Sequence, residues 1–247
     1  MKKFLLLLAS ISFLNFSYSQ EIDKLDFNLN LETSHIWNGI IVSKAPAAGI
    51  DINYAFDKKN NLKLGVWGGV GLSDANGKHY QEVDYYFKYN TARWGLGIWD
   101  VFNNTDLTGK ADEIFNYDNK TTGHRLDLRG YYVLSENFPL KLDVVTSFYG
   151  NDRNAKGDQT FSTYTGLTYS VLRDKKVDLD VFFGTAFNLG KGYNFYGDGT
   201  KDFDVVNFGL TVSKDVPVLG YKLPVSATAM WNPSRKEGII HLSTQLF

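Results

Sequence analysis

The chain has 247 residues, 26 of them basic and 27 acidic, for a formal net charge of −1. That balance leaves no electrostatic footprint for nucleic acid, and the absence of cysteine excludes a disulfide framework, a thiolate nucleophile and thiolate metal ligation. No later stretch reaches the roughly eighteen apolar residues of a helical span, so a membrane-spanning form of this chain has to be a closed β-barrel.

The first element is not part of the fold. Lys2 and Lys3 precede an apolar run from Phe4 to Leu14, and Ser17 and Ser19 are small residues at a signal-peptidase spacing. Residues 1–19 therefore read as a secretory signal peptide, and residues 20–247 as one mature domain.

From residue 24 onward the pattern has period two, the signature of strands. Leu25, Phe27, Leu29 and Leu31 alternate with Asp26, Asn28, Asn30 and Glu32. A connection holding Trp37-Asn38-Gly39 and Pro46 leads to Ile50, Ile52, Tyr54 and Phe56. The third strand sets Leu62, Leu64 and Val66 against Lys63, Gly65 and Trp67. The clearest hairpin covers residues 82–99. There Val83, Tyr85, Phe87 and Tyr89 oppose Glu82, Asp84, Tyr86 and Lys88, and Trp94, Leu96 and Ile98 oppose Arg93, Gly95, Gly97 and Trp99. After a long connection, residues 103–123, the sixth strand places Leu126, Leu128 and Tyr132 opposite Arg125, Asp127 and Arg129. Strands seven to ten repeat the alternation, with Phe148, Phe161, Phe187 and Val206 on the apolar side. Pro224 marks a bulge or the start of strand eleven, and the last strand runs to Phe247. The expectation is an all-β fold, an antiparallel up-and-down barrel of about twelve strands.

Alternation does not say which face is wet. Three features turn the apolar face toward lipid. Short and long connections alternate, aromatics of the apolar face gather near strand ends, and Phe247 is a terminal aromatic of the kind the outer-membrane assembly machinery receives. The competing architecture is an exported soluble β-protein with the apolar face inside.

Residues 34–90 carry a further signal. Trp37-Asn38-Gly39, Pro46-Ala47, Gly65-Val66-Trp67 and Glu82-Val83-Asp84-Tyr85 resemble segments of the TorF-like porin family, although that family usually has arginine where this chain has Asn38. The resemblance implies an outer-membrane barrel of a Gram-negative bacterium, in contact with outer-membrane lipids.

On the lumen face the candidate constriction is Arg125, Asp127 and Arg129, with Glu82, Asp84, Lys88 and Arg93. These charges suit a polar conduit for small solutes or a salt-bridged plug. The expectation is a passive pore for small polar solutes. The alternatives are a closed barrel that binds partners through its loops and, as a minor reading, an outer-membrane hydrolase built on His241 and Ser243. The four histidines lack metal-ligand spacing, Asp198, Asp202 and Asp204 suit a solvated loop better than a Ca²⁺ site, and no cofactor motif is present.

Overall fold

A computed structural model describes residues 24–105, 113–174 and 176–246. The signal peptide assigned to residues 1–19 and the terminal Phe247 lie outside the described residues.

Twelve strands close into one antiparallel barrel. They are β1 (Leu25–Glu32), β4 (Ala47–Ala55), β5 (Leu62–Gly71), β6 (Gln81–Asn90), β7 (Trp94–Asn103), β8 (Arg125–Val133), β9 (Leu140–Gly150), β10 (Ser162–Arg173), β11 (Asp178–Asn188), β12 (Phe203–Val218), β13 (Tyr221–Asn232) and β14 (Glu237–Gln245). Consecutive barrel strands pair, and β1 meets β14 to close the ring. Closure gives every barrel strand a neighbour on both sides, as hydrocarbon demands because it offers no partner. The β1–β14 seam is the shortest ladder, from Asn30↔Gln245 to Glu32↔Ser243. Side chains extend it: Gln245 Nε2 donates to Asn28 Oδ1 at 2.5 Å, and Leu242 N donates to Thr33 Oγ1 at 3.0 Å.

The apolar face is outside. Leu96 and Ile98 are 51 % and 48 % exposed, while Tyr86 and Asp127 of the opposite parity are 2 % and 0 % exposed. Outward aromatics gather near the short turns, where Tyr54 meets Phe56, Tyr89 meets Trp94 and Phe138 meets Tyr169 at ring separations of 5.2–5.3 Å. A second set, Phe148, Phe161, Phe203 and Trp231, lies toward the long loops. Rings of this type prefer the two interfaces of a bilayer. A closed sheet that is apolar outside and polar inside is an outer-membrane β-barrel, and the soluble alternative with an apolar interior is set aside.

Two bulges change the facing of residues within this frame. Between β11 and β12 the register shifts at Gly184/Thr185, so Asn207 pairs with Gly184 while Val205 pairs with Thr185. The extra residue turns Val206 inward to 0 % exposure, against the outward placement that simple alternation gives it. A shift between Leu126 and Asp127 pairs Tyr149 with outward Leu126, so Tyr149 faces outward. Pro224 makes no bulge: it pairs with Asp215 and lies beyond the last β13–β14 pair, Val225↔Thr244.

The segment between β1 and β4 is not a simple loop. It forms a two-stranded hairpin, β2 (His35–Trp37) and β3 (Ile40–Ser43), outside the barrel sheet. Asn38 and Gly39 make its turn with φ of 47° and 86°, the left-handed pair that a tight hairpin requires. The hairpin enters the barrel. A Cβ on Gly39 would stand 2.4 Å from the Val206 carbonyl oxygen of β12, so only glycine fits against that wall. Asn232 Nδ2 of β13 donates to the Gly39 carbonyl at 2.9 Å.

The described part of the 104–124 connection takes the opposite course and packs outside. His124 stacks between Phe102 and Tyr117 at 4.5 and 4.3 Å, its Nδ1 is 2.7 Å from Asp100 Oδ1, and the Tyr117 hydroxyl donates to Asp100 Oδ2 at 2.6 Å. Burial and the adjacent Asp100 carboxylate push the Tyr117 hydroxyl above its ordinary pKa. Tyr149, turned outward by its bulge, donates to the Tyr117 carbonyl at 2.6 Å.

Candidate functional site: the lumen

Ladder register places the inward residues in rows across β5 to β9. One row runs Trp67, Asp84, Val101, Arg125; the next Gly65, Tyr86, Trp99, Asp127, Ser147; the next Lys63, Lys88, Gly97, Arg129, Val145. Neighbouring strands are about 4.8 Å apart, so side chains in adjacent rows converge in the interior.

Asp127 is the hub of the charged set. It is fully buried and accepts from Arg125 Nε at 3.1 Å, Arg129 Nη2 at 3.1 Å and Ser147 Oγ at 2.7 Å. Two guanidiniums on one carboxylate leave excess positive charge, and aromatic faces take part of it. Arg125 lies 4.8 Å from the Trp37 ring centroid and 4.7 Å from Phe195; Arg129 lies 4.2 Å from Trp99 and 5.4 Å from Trp37.

The other expected residues divide. Asp84 is buried within electrostatic range of Arg129 and Arg125, and its Oδ1 has no hydrogen-bond partner among the described residues. Glu82 sits one row nearer the long loops, accepting from Tyr80 Oη at 3.1 Å and Asn103 Nδ2 at 2.7 Å. Lys88 lies in the Arg129 row, its ammonium 4.1 Å from the Tyr86 centroid and 5.6 Å from Trp99. Arg93 is not in the lumen. It belongs to the β6–β7 turn, where its guanidinium covers the outward Tyr132 ring at 5.7 Å and Nη2 donates to Tyr132 Oη at 3.1 Å and the Leu134 carbonyl at 2.8 Å. The turn frees Arg93 from strand alternation, so parity does not govern it.

The interior also holds groups that alternation does not reveal. Trp37 and Ile40 of the hairpin, with Phe195 of the 189–202 loop, pack on a small apolar core of Val145, Tyr164, Ala186, Tyr196 and Val206. Trp37 lies 5.3 Å from Tyr196, and Phe195 stacks on Tyr196 at 4.1 Å. Arg235 clamps this loop from the β13–β14 turn, donating Nε to the Tyr196 carbonyl at 3.1 Å and Nη2 to the Phe195 carbonyl at 2.6 Å. Burial pushes the Tyr196 hydroxyl well above its ordinary pKa. The signal for the hairpin was the Asn38-Gly39 pair between two short apolar runs. Phe195 and Tyr196 carried no comparable local signal.

Among the described residues, two cavities lie beside this insertion. One, of about 550 Å³, is lined by Glu32, His35, Trp67, Asp178, Asp215 and Ser243 among others, and reaches the short turn at Asp174 and Lys176. The other, of about 420 Å³, is lined by Trp37, Asn38, Lys88, Trp99, Arg129 and Lys141 among others, and reaches Asn90 at the end of β6. At the base of the hairpin His35 stacks between Trp67 and Tyr80 at 5.4 and 5.1 Å, with Nδ1 2.6 Å from Glu32 Oε1.

His241 and Ser243 share the inward face but do not work as a pair. Ser243 Oγ bonds Ser226 Oγ at 2.7 Å, whereas His241 Nδ1 lies 3.2 Å from Ser34 Oγ and its Nε2 3.9 Å from Glu32 Oε2. The His241 contacts tie β14 to the end of β1 at the closure, and the Ser243 contact ties β14 to β13. The loop aspartates also have separate duties: Asp204 accepts from Asn194 Nδ2 and Ser234 Oγ, and Asp198 accepts from Thr200.

No protein-family model matches the sequence, and no curated protein matches it. Among solved structures the chain is similar to a KdgM porin, at 11 % identity over 89 % of this chain and 96 % of that one, with a TM-score of 0.44. It is similar to the COG4313 outer membrane channel of Pseudomonas putida F1, at 14 % identity over 94 % and 97 %, with a TM-score of 0.46. A substituted porin of Rh. blastica shares 9 % identity over 90 % and 99 %, with a TM-score of 0.36.

Proposed function

We propose that this barrel is a passive pore for small polar solutes, narrowed from within by the β2–β3 hairpin and the Arg125–Asp127–Arg129 cluster. The observation that carries the reading is the pair of lumenal cavities beside the hairpin, both lined by charged and polar side chains and both reaching the short-turn end. Charged walls at close quarters favour hydrated solutes over apolar ones. The resemblance of residues 34–90 to the TorF-like porin family supports the same reading. Planar-bilayer recording of the folded protein tests it: discrete conductance steps are expected, and a barrel silent at all voltages overturns it.

One observation favours a second reading, a closed barrel that binds partners through its loops. The hairpin, Phe195 and Tyr196 build an apolar core inside the lumen, as a permanent plug would. In that case deleting residues 103–123 removes binding of a surface partner and leaves permeability unchanged.

A further inference from the structure

We infer that the cavity walled by β6 to β10 is a binding site for small organic monocarboxylates, and that it makes the pore anion-selective. The inference rests on the pore reading for its selectivity and on the cavity alone for its binding.

Gly97 and Gly95 form part of the cavity wall, where neighbouring side chains of Lys88, Asn90 and Tyr131 lie close over their backbones. Gly97 lies between Lys88 and Arg129 in one hydrogen-bonded row, and Gly95 lies between Asn90 and Tyr131 in the next. Two strand spacings put Lys88 and Arg129 about 10 Å apart at their backbones, with no side chain between them. Their long side chains can therefore approach one guest from two sides.

The charge on these walls is uneven. Lys88, Arg129 and Lys141 line the cavity against Asp143 alone. Lys141 is already paired with Asp143 at 2.7 Å. Lys88 makes no ion pair among the described residues; its ammonium rests on Tyr86 and Trp99, with the Asp51 and Asp26 carboxylates attracting it from beyond ion-pair distance and Lys63 and Arg129 repelling it. Arg129 gives Asp127 only Nη2, so among the described residues Nη1 has no hydrogen-bond partner. Glu82, Asp84 and Asp127 balance the guanidiniums but do not line the cavity.

The ammonium of Lys88 and a guanidinium N–H of Arg129 suit the two oxygens of one carboxylate. Asp143 in the wall works against a dianion. The volume of about 420 Å³ falls within the range of small-molecule sites.

The test uses the full folded barrel, wild type and Lys88→Glu, with Lys88→Arg as the conservative control. Reversal potentials in a potassium lactate gradient should show lactate preferred over potassium by about threefold or more, with the preference lost or inverted in K88E and kept in K88R. A conducting but cation-selective wild type overturns the inference and leaves the pore reading intact. A silent barrel overturns the pore reading, and the site is then judged by calorimetric titration of lactate into the protein in detergent. Saturable lactate binding, weakened about tenfold in K88E, supports the site; no binding, or binding of inorganic phosphate in preference to lactate, overturns it. Heat-modifiable gel mobility separates a folded K88E barrel from one that has failed to close; if K88E fails to close, Lys88→Gln is read by the same criteria.

Discussion

The guanidinium carbon of Arg129 lies 5.4 Å from the centroid of Trp37, a contact between the barrel wall and the tip of a hairpin that belongs to no strand of the barrel. The same ring meets Arg125 at 4.8 Å. The hairpin thus carries an aromatic ring from outside the barrel sheet onto the charged cluster of the β8 wall. Replacing residues 35–43 with a Gly-Ser linker should raise single-channel conductance several-fold while the barrel still folds. Unchanged conductance in a folded variant would show that the hairpin does not limit flow.

Gly39 sets the depth of that insertion. Its φ of 86° and the 2.4 Å approach of a built Cβ to the Val206 carbonyl leave no room for a side chain. Gly39→Val should shift the hairpin off β12, cost about 2 kcal/mol and raise conductance in the direction of the linker variant. Denaturant titration beside bilayer recording reads both effects, and a neutral result in both would contradict the contact.

Asp127 compensates two guanidiniums at zero exposure. Asp127→Ala leaves both without their shared carboxylate and should cost about 3–5 kcal/mol, the usual penalty for breaking a buried charge pair from one side. Reversible unfolding in urea measures it. A loss below about 0.5 kcal/mol would mean that Asp84 and Glu82 already balance the pair.

The outward assignment of the apolar face has its own check. Ile98, outward on β7 and 48 % exposed, is expected to contact lipid. Ile98→Arg should cost about 2–4 kcal/mol when the barrel folds into vesicles, the penalty for a cation near the bilayer midplane. The same substitution assayed in detergent micelles should cost less, because a micelle deforms and admits water more readily. Equal costs in both media would argue against a lipid contact at this position.

Much of the barrel was legible from residues 24–246 because strand alternation is local. Each outward Leu, Ile or aromatic declares its face by its immediate neighbours, and the closed count of twelve strands agrees with the count of alternating runs. The grouping of the candidate constriction was legible in part. Arg125, Asp127 and Arg129 share one face of one strand, so their grouping follows from spacing of two. Arg93 escaped the rule because it sits in a turn, and Val206 because a bulge inserts one extra residue into β12.

The sequence by itself determined the barrel: period-two alternation and short turns are properties of neighbouring residues and need no knowledge of what lies across the ring. Only the tertiary structure decided what fills it. Trp37 meets Arg125, Tyr196 and Arg129 across separations of many tens of residues, and Gly39 meets Val206 through a bulge. Those contacts depend on the closed circumference, which brings distant strands to one interior, and no local pattern encodes that distance.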